Sequence, residues 1–230
     1  RIMRQTKIIC TIGPACNNKE TILKMIDAGM NVARFNMSHG DYGELEKTFA
    51  TVKEAIAESG KNVALLLDTK GPEVRIGHID GGKTEIVEGQ DFTLFRDEVV
   101  GNNEGASISY PKLIKKLMKY NKAKGLKLLL DDGKISMQIK KVLDDRIVCK
   151  VLVGGELGSR KSINIPDYNI DMPYVSKKDR EDIDFGIKMG INVIAASFVR
   201  NGDDVRTLRD YVESIGGEHI GIISKIECQS

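Results

Sequence analysis

Polar side chains follow one short apolar run of this sequence in regular alternation. Arg34, Asn36 and Ser38 are spaced two apart, and alternate side chains of a strand lie on one face. An arginine in a buried strand is costly unless an anion compensates its charge. The spacing therefore predicts a polar cluster with a cation at the end of a strand, and His39 follows it directly.

Two later apolar runs also end in charged residues. Asp68 and Thr69 follow Leu67, and Lys225 and Glu227 are again spaced two apart. In sheets of parallel strands, the chemistry lies at the carboxyl ends of the strands. Cations and carboxylates that converge there favour a phosphate held beside a metal ion. The alternative is that these residues form structural ion pairs at the rim of the barrel. The residues alone therefore indicate only an enzyme that handles phosphate or metal.

A repeated pattern of helix, glycine and apolar run indicates the architecture that positions these residues. Each glycine is expected at a helix end, where a positive φ is needed, and the apolar runs are typical of buried parallel strands. Helix starts are predicted at Asn17 and Ser176, each with an acidic residue three positions later, as in a capping box. The repeated glycines are Gly29, Gly60, Gly190 and Gly217.

The spacing of the glycines indicates an insertion. The first pair and the last pair are each separated by about 30 residues, the length of one βα unit, but about 130 residues separate Gly60 from Gly190. The stretch between them contains short apolar runs separated by Gly and Asp turns, and Asp132-Gly133 predicts a hairpin. One continuous domain with irregular loops is the alternative. The predicted strands of the insertion are 83–87, 92–95, 127–130, 135–139 and 147–153.

These patterns predict an α/β fold: a partial TIM-type (β/α)8 barrel of about five strands with an inserted small antiparallel β-barrel domain. A barrel is favoured over an open doubly wound sheet because no dinucleotide or P-loop motif follows any strand. The predicted domains are 1–70 for the first part of the barrel, 71–169 for the insertion and 170–230 for the continuation of the barrel.

The composition excludes several classes of partner. The 230 residues include 35 basic and 33 acidic ones, a net charge of +2, which gives no case for nucleic-acid or membrane binding. Tryptophan is absent, so a surface for stacking bases is not expected. The four cysteines form no CxxC pair and are expected as free thiols in a reducing cytoplasm.

Five segments together resemble the pyruvate kinase family. They are TIGPA at 11–15, AGMNVARFNMSHG at 28–40, LDTKGPEVR at 67–75, ASFVR at 196–200 and SKIE at 224–227. They follow the order of the family's barrel strands, and the resemblance covers essentially the whole chain. It implies that phosphoenolpyruvate and ADP give pyruvate and ATP, in the cytoplasm, in a parent protein that is a homotetramer.

The resemblance also implies a role for each matching residue. Lys225 and Arg34 are implied as catalytic residues, with Lys225 neutralising the transferring phosphoryl group and the enolate. Glu227 is implied as a ligand of Mg2+ or Mn2+, and Glu73 matches a residue associated with dependence on K+. Substrate or nucleotide binding is implied for Arg34, Asn36, His39, Arg75, Lys161 and Lys225. Potassium binding is implied for Asn36, Ser38, Asp68 and Thr69.

The chain departs from the family pattern in places. Residues 160–162 read Arg-Lys-Ser where Lys-Lys-Gly is common, Asp167 stands for a usual glycine, and Cys228 for a common asparagine. The resemblance implies that a second metal carboxylate and the remaining barrel strands lie beyond Ser230, so the isolated chain is expected to be inactive. The alternatives are a lyase that handles phosphoenolpyruvate or pyruvate on a related barrel, and a non-catalytic binding module.

Overall fold

The computed structural model describes residues 5–37, 41–168 and 170–227. Contacts divide the chain into a barrel unit, Arg1–Pro72 with Pro173–Ser230, and an inserted unit, Glu73–Met172. In chain order, the elements up to the insertion are β1 (Ile9–Thr11), α1 (Lys19–Ala28), β2 (Val32–Asn36), α2 (Tyr42–Ser59) and β3 (Ala64–Asp68). Those of the inserted unit are β4 (Val74–Arg75), β5 (Lys83–Ile86), β6 (Asp91–Phe95), β7 (Gly105–Ser107), α3 (Lys112–Met118), β8 (Lys127–Leu130), β9 (Ile135–Val142), β10 (Arg146–Val153), β11 (Gly155–Gly158) and β12 (Ser162–Asn164). Those that follow are α4 (Lys177–Lys188), β13 (Val193–Ala196), α5 (Gly202–Ser214) and β14 (Gly221–Ser224).

The barrel unit contains one parallel sheet in the order β1-β2-β3-β13-β14. Each strand pairs with the next strand of this unit along the chain, and a helix connects each pair. Strands that follow one another without reversal of order, with a helix after each, are the arrangement of a (β/α)8 barrel. The predicted fold class, a partial TIM-type barrel with an insertion, is confirmed.

Capping contacts in the structure test the two predicted helix starts. At α4, the Ser176 hydroxyl accepts from the Asp179 backbone N–H at 3.0 Å and the Asp179 carboxylate accepts from the Ser176 N–H at 3.0 Å, so this capping box is confirmed. At α1, the prediction is wrong by one residue. The cap is Asn18 rather than Asn17, because the Asn18 Oδ1 accepts from the Thr21 N–H at 2.9 Å.

A glycine with positive φ follows α1, α2 and α4, as predicted. Gly29, Gly60 and Gly190 have φ of 111°, 62° and 71°. The fourth prediction is wrong: after α5 the positive φ of 83° belongs to Gly216, not to Gly217. Gly217 instead approaches Val212, whose Cγ1 would lie 2.5 Å from a Cβ at that position.

Aromatic packing orients β2. Phe35 of β2 stacks on Phe49 of α2 with ring centroids 3.6 Å apart, and Phe185 of α4 meets Phe49 edge-on at 5.9 Å. Because side chains alternate along a strand, Phe35 on the helix-covered face leaves Arg34 and Asn36 on the opposite face.

The inserted unit is a closed β barrel with one helix. Its seven-stranded sheet has the order β4-β12-β8-β9-β10-β6-β7, and β5 pairs with β11. Hydrogen bonds from Ser109 N to Arg75 O and from Gly77 N to Ser107 O, both 2.8 Å, join its two edges. The hairpin between β8 and β9 is confirmed, with Asp132 at φ 56°.

Two features of the inserted unit differ from the prediction. The pair β6–β7 is parallel, whereas the other strand pairs described in this unit are antiparallel. Helix α3 was not predicted, because seven lysine-rich residues are too short for a clear helical period. Its apolar side chains are buried all the same: Leu113, Ile114 and Leu117.

The helices of the described ranges were compared with the length and apolarity that a membrane span requires. None of them is both long and apolar enough to cross a bilayer. The longest, α2, buries Phe49, Val52 and Ala55 and exposes charged residues elsewhere.

Burial of Cys149 in the core of the inserted unit has a chemical consequence. Desolvation raises the pKa of this thiol from 9.0 to about 12, so it stays protonated near pH 8 and is a poor nucleophile. We expect iodoacetamide to leave Cys149 unmodified in the native protein and to modify it in concentrated urea, as measured by peptide mass spectrometry. Rapid modification of native Cys149 would contradict its burial; the partly exposed Cys10 serves as the reactive comparison.

Candidate active site

A buried carboxylate joins two cations at the carboxyl end of the parallel sheet. Asp68, the last residue of β3, is only 3% exposed. Its Oδ2 accepts from Arg34 Nε at 2.7 Å and lies 2.5 Å from Arg34 Nη2. Its Oδ1 accepts from Lys225 Nζ at 3.1 Å. One negative charge therefore holds a cation from β2 and another from the end of β14.

The register of the strands explains this contact. Asn36 of β2 lies opposite Asp68 of β3, and Arg34 lies opposite Leu66. On its other side, Arg34 lies opposite Thr11 of β1 and donates from Nη1 to the Thr11 hydroxyl at 2.5 Å. The guanidinium is thus fixed between the ends of β1 and β3.

Lys225 also contacts a second carboxylate. Its Nζ lies 3.2 Å from Oε1 of Glu227 and donates to the Ser197 hydroxyl at 3.0 Å. The other oxygen of Glu227, Oε2, accepts from the Phe198 N–H at 3.2 Å. Backbone bonds from Lys225 N to Ala196 O and from Val199 N to Lys225 O hold these two segments side by side.

The structure thus gathers most of the predicted residues of the barrel unit at neighbouring strand ends. These are Arg34, Asn36, Asp68, Thr69, Lys225 and Glu227. Ser38 and His39 lie outside the described residues. Thr11, Ser197 and Phe198 also belong to the site but were not predicted. Thr11 ends β1, and Ser197 and Phe198 follow β13, so a position at a strand end is the sequence signal that could have found them.

The predicted residues of the inserted unit, Arg75 and Lys161, each form an ion pair with a carboxylate of that unit. Arg75 Nε lies 2.6 Å from Oε2 of Glu73, and Arg75 Nη1 donates to the backbone oxygen of Arg160 at 3.0 Å. The Lys161 backbone oxygen accepts from Ile76 N at 2.9 Å, so Arg75 and Lys161 belong to adjacent strand segments.

Lys161 pairs with Asp131, a buried aspartate directly before the predicted hairpin turn at Asp132-Gly133. Lys161 Nζ lies 2.9 Å from Oδ1 of Asp131, and Lys134 Nζ lies 2.9 Å from its Oδ2. The hydrogen bond from Lys161, more than that from Lys134, holds the pKa of Asp131 below its ordinary value. These three side chains and Lys83 and Glu156 line a cavity of about 590 Å³.

Glu227 has the chemistry of a magnesium ligand. Within the described ranges, no three His, Cys, Asp or Glu side chains form a metal cage. Mg2+ is commonly held by one or two carboxylates, with waters and substrate phosphates as its other ligands. Among the described residues, Oε1 of Glu227 contacts Lys225 and Oε2 contacts the Phe198 N–H, and each oxygen has a further lone pair that can bind a cation.

Asp68 and Thr69 supply the oxygens that a monovalent cation requires. The Thr69 carbonyl accepts from the Ser197 hydroxyl at 2.6 Å and keeps a second lone pair. Both oxygens of Asp68 are within hydrogen-bond reach of two donors each: Oδ2 of Arg34 Nε and Nη2, and Oδ1 of Lys225 and Ser197. These oxygens are the type of ligand that K+ takes, and a bound K+ would have to replace one of the donors to Asp68.

Comparison with known proteins identifies the family. The family model described as pyruvate kinase, barrel domain, matches residues 3–230. The chain belongs to the pyruvate kinase family. Pyruvate kinase of Geobacillus stearothermophilus is 44% identical over 226 residues, covering 97% of this chain and 38% of that protein. Pyruvate kinase of Clostridium perfringens is 39% identical over 228 residues, covering 99% of this chain and 47% of that protein.

The resemblance in sequence is therefore confirmed at the level of the family. The chain spans less than half the length of these pyruvate kinases. Within the span that is shared, the five parallel strands place the Asp68 junction, which is the contact of Asp68 with Arg34 and Lys225, at their carboxyl ends. Barrel enzymes carry their active sites at these ends.

Gly71 is required next to this junction. Its φ is 69°, and a Cβ would lie 2.7 Å from the backbone oxygen of Ser197. We expect Gly71→Ala to lower the free energy of unfolding by more than the left-handed strain alone, which is about 1–3 kcal/mol. Gly60→Ala is the matched control, because Gly60 has φ 62° and nothing within 4 Å. Equal losses for the two variants in urea unfolding would contradict the close contact.

Proposed function

We propose that the complete gene product transfers the phosphoryl group of phosphoenolpyruvate to ADP, giving pyruvate and ATP. The observation that carries the proposal is the pair of cations, Arg34 and Lys225, gathered on Asp68 beside Glu227. Family membership supports the reaction class. Phosphoryl transfer requires positioning and charge neutralisation more than covalent catalysis, and this is what such a cluster supplies.

In this mechanism, the two cations act on different parts of the substrate. Arg34 presents a planar fork of donors that suits a phosphate, while the Lys225 ammonium is a point charge. As the bond from phosphorus to the enol oxygen breaks and a bond to an oxygen of ADP forms, Lys225 stabilises the charge on the phosphoryl group and the enolate. The enolate then takes up a proton to become pyruvate.

The acidic residues hold the cations that such a reaction needs. Glu227 would hold Mg2+ or Mn2+, and Asp68 and Thr69 would hold K+ together with Asn36 and Ser38. A bound divalent ion supplies Lewis-acid neutralisation of phosphate oxygens. Glu227 also orients Lys225 through their 3.2 Å contact, so the same carboxylate serves both positive groups.

The inserted unit would provide the nucleotide contacts. Arg75 and Lys161, with His39 of the barrel unit, are proposed to bind the phosphates of ADP. Arg75 is preoriented by Glu73, and Lys161 by Asp131. A unit that closes over a phosphoryl-transfer site excludes water, which would otherwise compete as acceptor. We therefore propose the predicted insertion, 71–169, as a lid, with Gly71-Pro72 and Pro166 near its two ends as hinge segments.

The same proposal includes a cellular location and an oligomeric state. We place it in the cytoplasm, where ADP is available and where the three described cysteines, which are free thiols, would stay reduced. The complete gene product is proposed to be a homotetramer, as the family resemblance implies.

Removal of the Lys225 charge tests the mechanism. We expect Lys225→Met to lower kcat for pyruvate formation by roughly 10²–10³-fold, because a charge stabiliser of the transition state is lost. Pyruvate formation from phosphoenolpyruvate and ADP is measured in the complete gene product with Mg2+ and K+. Lys61→Met is the control, since Lys61 forms an exposed pair with Asp27 away from the site. A Lys225→Met variant with undiminished kcat would contradict the assigned role.

The same cations would also stabilise an enolate in a lyase, so a second test separates the two reactions. In a kinase that uses K+ at Asp68, Asp68→Ala should abolish the stimulation by K+, because the charged ligand is lost. The measurement is the initial rate across a series of K+ concentrations at constant ionic strength. A lyase would show no dependence on K+ in the unsubstituted protein, and that result would favour the alternative.

A further inference from the structure

Ser197 occupies the centre of the junction, although neither the sequence pattern nor the proposed mechanism gives it a role. It follows β13 directly and is 3% exposed. Its hydroxyl lies 2.6 Å from the Thr69 carbonyl oxygen, 3.2 Å from Asp68 Oδ1 and 3.0 Å from Lys225 Nζ. One side-chain oxygen therefore touches two predicted potassium ligands and the predicted catalytic lysine.

The hydroxyl can serve only some of these partners at once. It has one proton and two lone pairs, and Lys225 is a donor to it. The single proton therefore goes either to the Thr69 carbonyl or to Asp68 Oδ1, and the shorter distance favours Thr69 here. A change at either acceptor is passed to the hydroxyl by rotation of the proton, without movement of heavy atoms.

Contacts of its backbone hold Ser197 in place, so the distances from its hydroxyl to Thr69, Asp68 and Lys225 are fixed. Its N–H donates to the Thr69 hydroxyl at 3.2 Å, and its carbonyl oxygen accepts from the Tyr174 hydroxyl at 2.9 Å. Gly71 packs against the same carbonyl. Phe198, the next residue, has φ 55°, a left-handed conformation that a non-glycine residue keeps only when its surroundings enforce it.

The ammonium group of Lys225 has three donors, and three acceptors from the described part of the chain lie within reach of it. Asp68 Oδ1, Ser197 Oγ and Glu227 Oε1 lie at 3.1, 3.0 and 3.2 Å. A substrate that binds to Lys225 must therefore take at least one of its N–H groups from these acceptors. Ser197 is the neutral member of the set and keeps the ammonium oriented while a carboxylate contact is exchanged.

We propose that Ser197 is a positioning residue that couples the monovalent-cation ligands, Asp68 and Thr69, to the ammonium group of Lys225. This inference rests on the proposed function and deepens it. A cation on Asp68 Oδ1 removes that oxygen as an acceptor, so the Ser197 proton stays with the Thr69 carbonyl and the lone pairs of the hydroxyl stay turned toward Lys225. Potassium binding and orientation of Lys225 are thereby linked.

The test compares Ser197→Ala with the unsubstituted complete gene product. Loss of hydrogen bonds to a charged group predicts a fall in kcat of about tenfold and a rise of about tenfold in the K+ concentration for half-maximal rate. The KM for ADP should change by less than about twofold, because ADP is assigned to other residues. Ser197→Thr keeps the hydroxyl and should restore the response to K+. Ser107→Ala, at a buried serine of the inserted unit, should leave all three constants unchanged.

A second measurement does not depend on turnover. We expect KCl, compared with choline chloride, to raise the Tm of the unsubstituted protein, and Ser197→Ala to lose most of that rise. Circular dichroism establishes that the variant is folded. If the protein forms pyruvate and responds to K+, but Ser197→Ala behaves like Ser107→Ala, the inference is overturned and the proposed function stands.

Failure of the proposed function gives a different result. Absence of pyruvate formation in the unsubstituted protein overturns that function. In that case, a Tm rise with K+ that depends on Ser197 still supports the link between cation and hydroxyl. Absence of any K+ effect on Tm overturns the link as well.

Discussion

The placement of one buried carboxylate between two cations constrains the whole site. Arg34 and Lys225 would repel each other at close range, and Asp68 compensates both charges from the end of the strand between them. Because Asp68 is almost fully buried, solvent screens these attractions only weakly. Breaking such a pair leaves a charge uncompensated, so the register of β2, β3 and β14 is tied to the chemistry. A substrate phosphate is the kind of anion that can take over part of this compensation.

The turn after β13 is the frame on which the junction is built. Phe198 adopts φ 55°, and Gly71, which faces this turn, adopts φ 69°. Conformations of this kind are costly for most residues and tend to persist at functional sites, where contacts enforce them. Here they direct the Phe198 N–H to Glu227 and the Ser197 hydroxyl to Lys225. Backbone geometry thus positions both Glu227, the proposed metal ligand, and Lys225, the proposed charge stabiliser.

The inserted unit repeats the same electrostatic device on an antiparallel framework. Asp131 is held between Lys134 and Lys161, just as Asp68 is held between two cations in the barrel unit. In each case a buried aspartate keeps long, flexible cationic side chains in one orientation. This lowers the conformational entropy that they lose on binding a phosphate. Each unit, taken by itself, therefore carries cations whose orientation is fixed by a buried aspartate.

Local patterns in the sequence determined the elements and the residue types at the site. The alternation of Arg34 with Asn36, the recurring glycines and the hairpin at Asp132-Gly133 are short-range signals, because side-chain direction and backbone φ depend on neighbouring residues. They predicted the parallel strands, the glycines that follow α1, α2 and α4, and the strand-end position of the acidic and basic groups.

Only the tertiary structure decided which of these residues meet. The contact between Asp68 and Lys225 spans 157 positions, and it depends on β13 lying between β3 and β14. Thr11 and Ser197 enter the site through strand adjacency alone. The parallel pairing of β6 with β7 in the inserted unit was likewise decided by the tertiary structure. A hydroxyl between two apolar segments looks ordinary in sequence. Its role depends on distances to residues far along the chain, and those distances are set by packing.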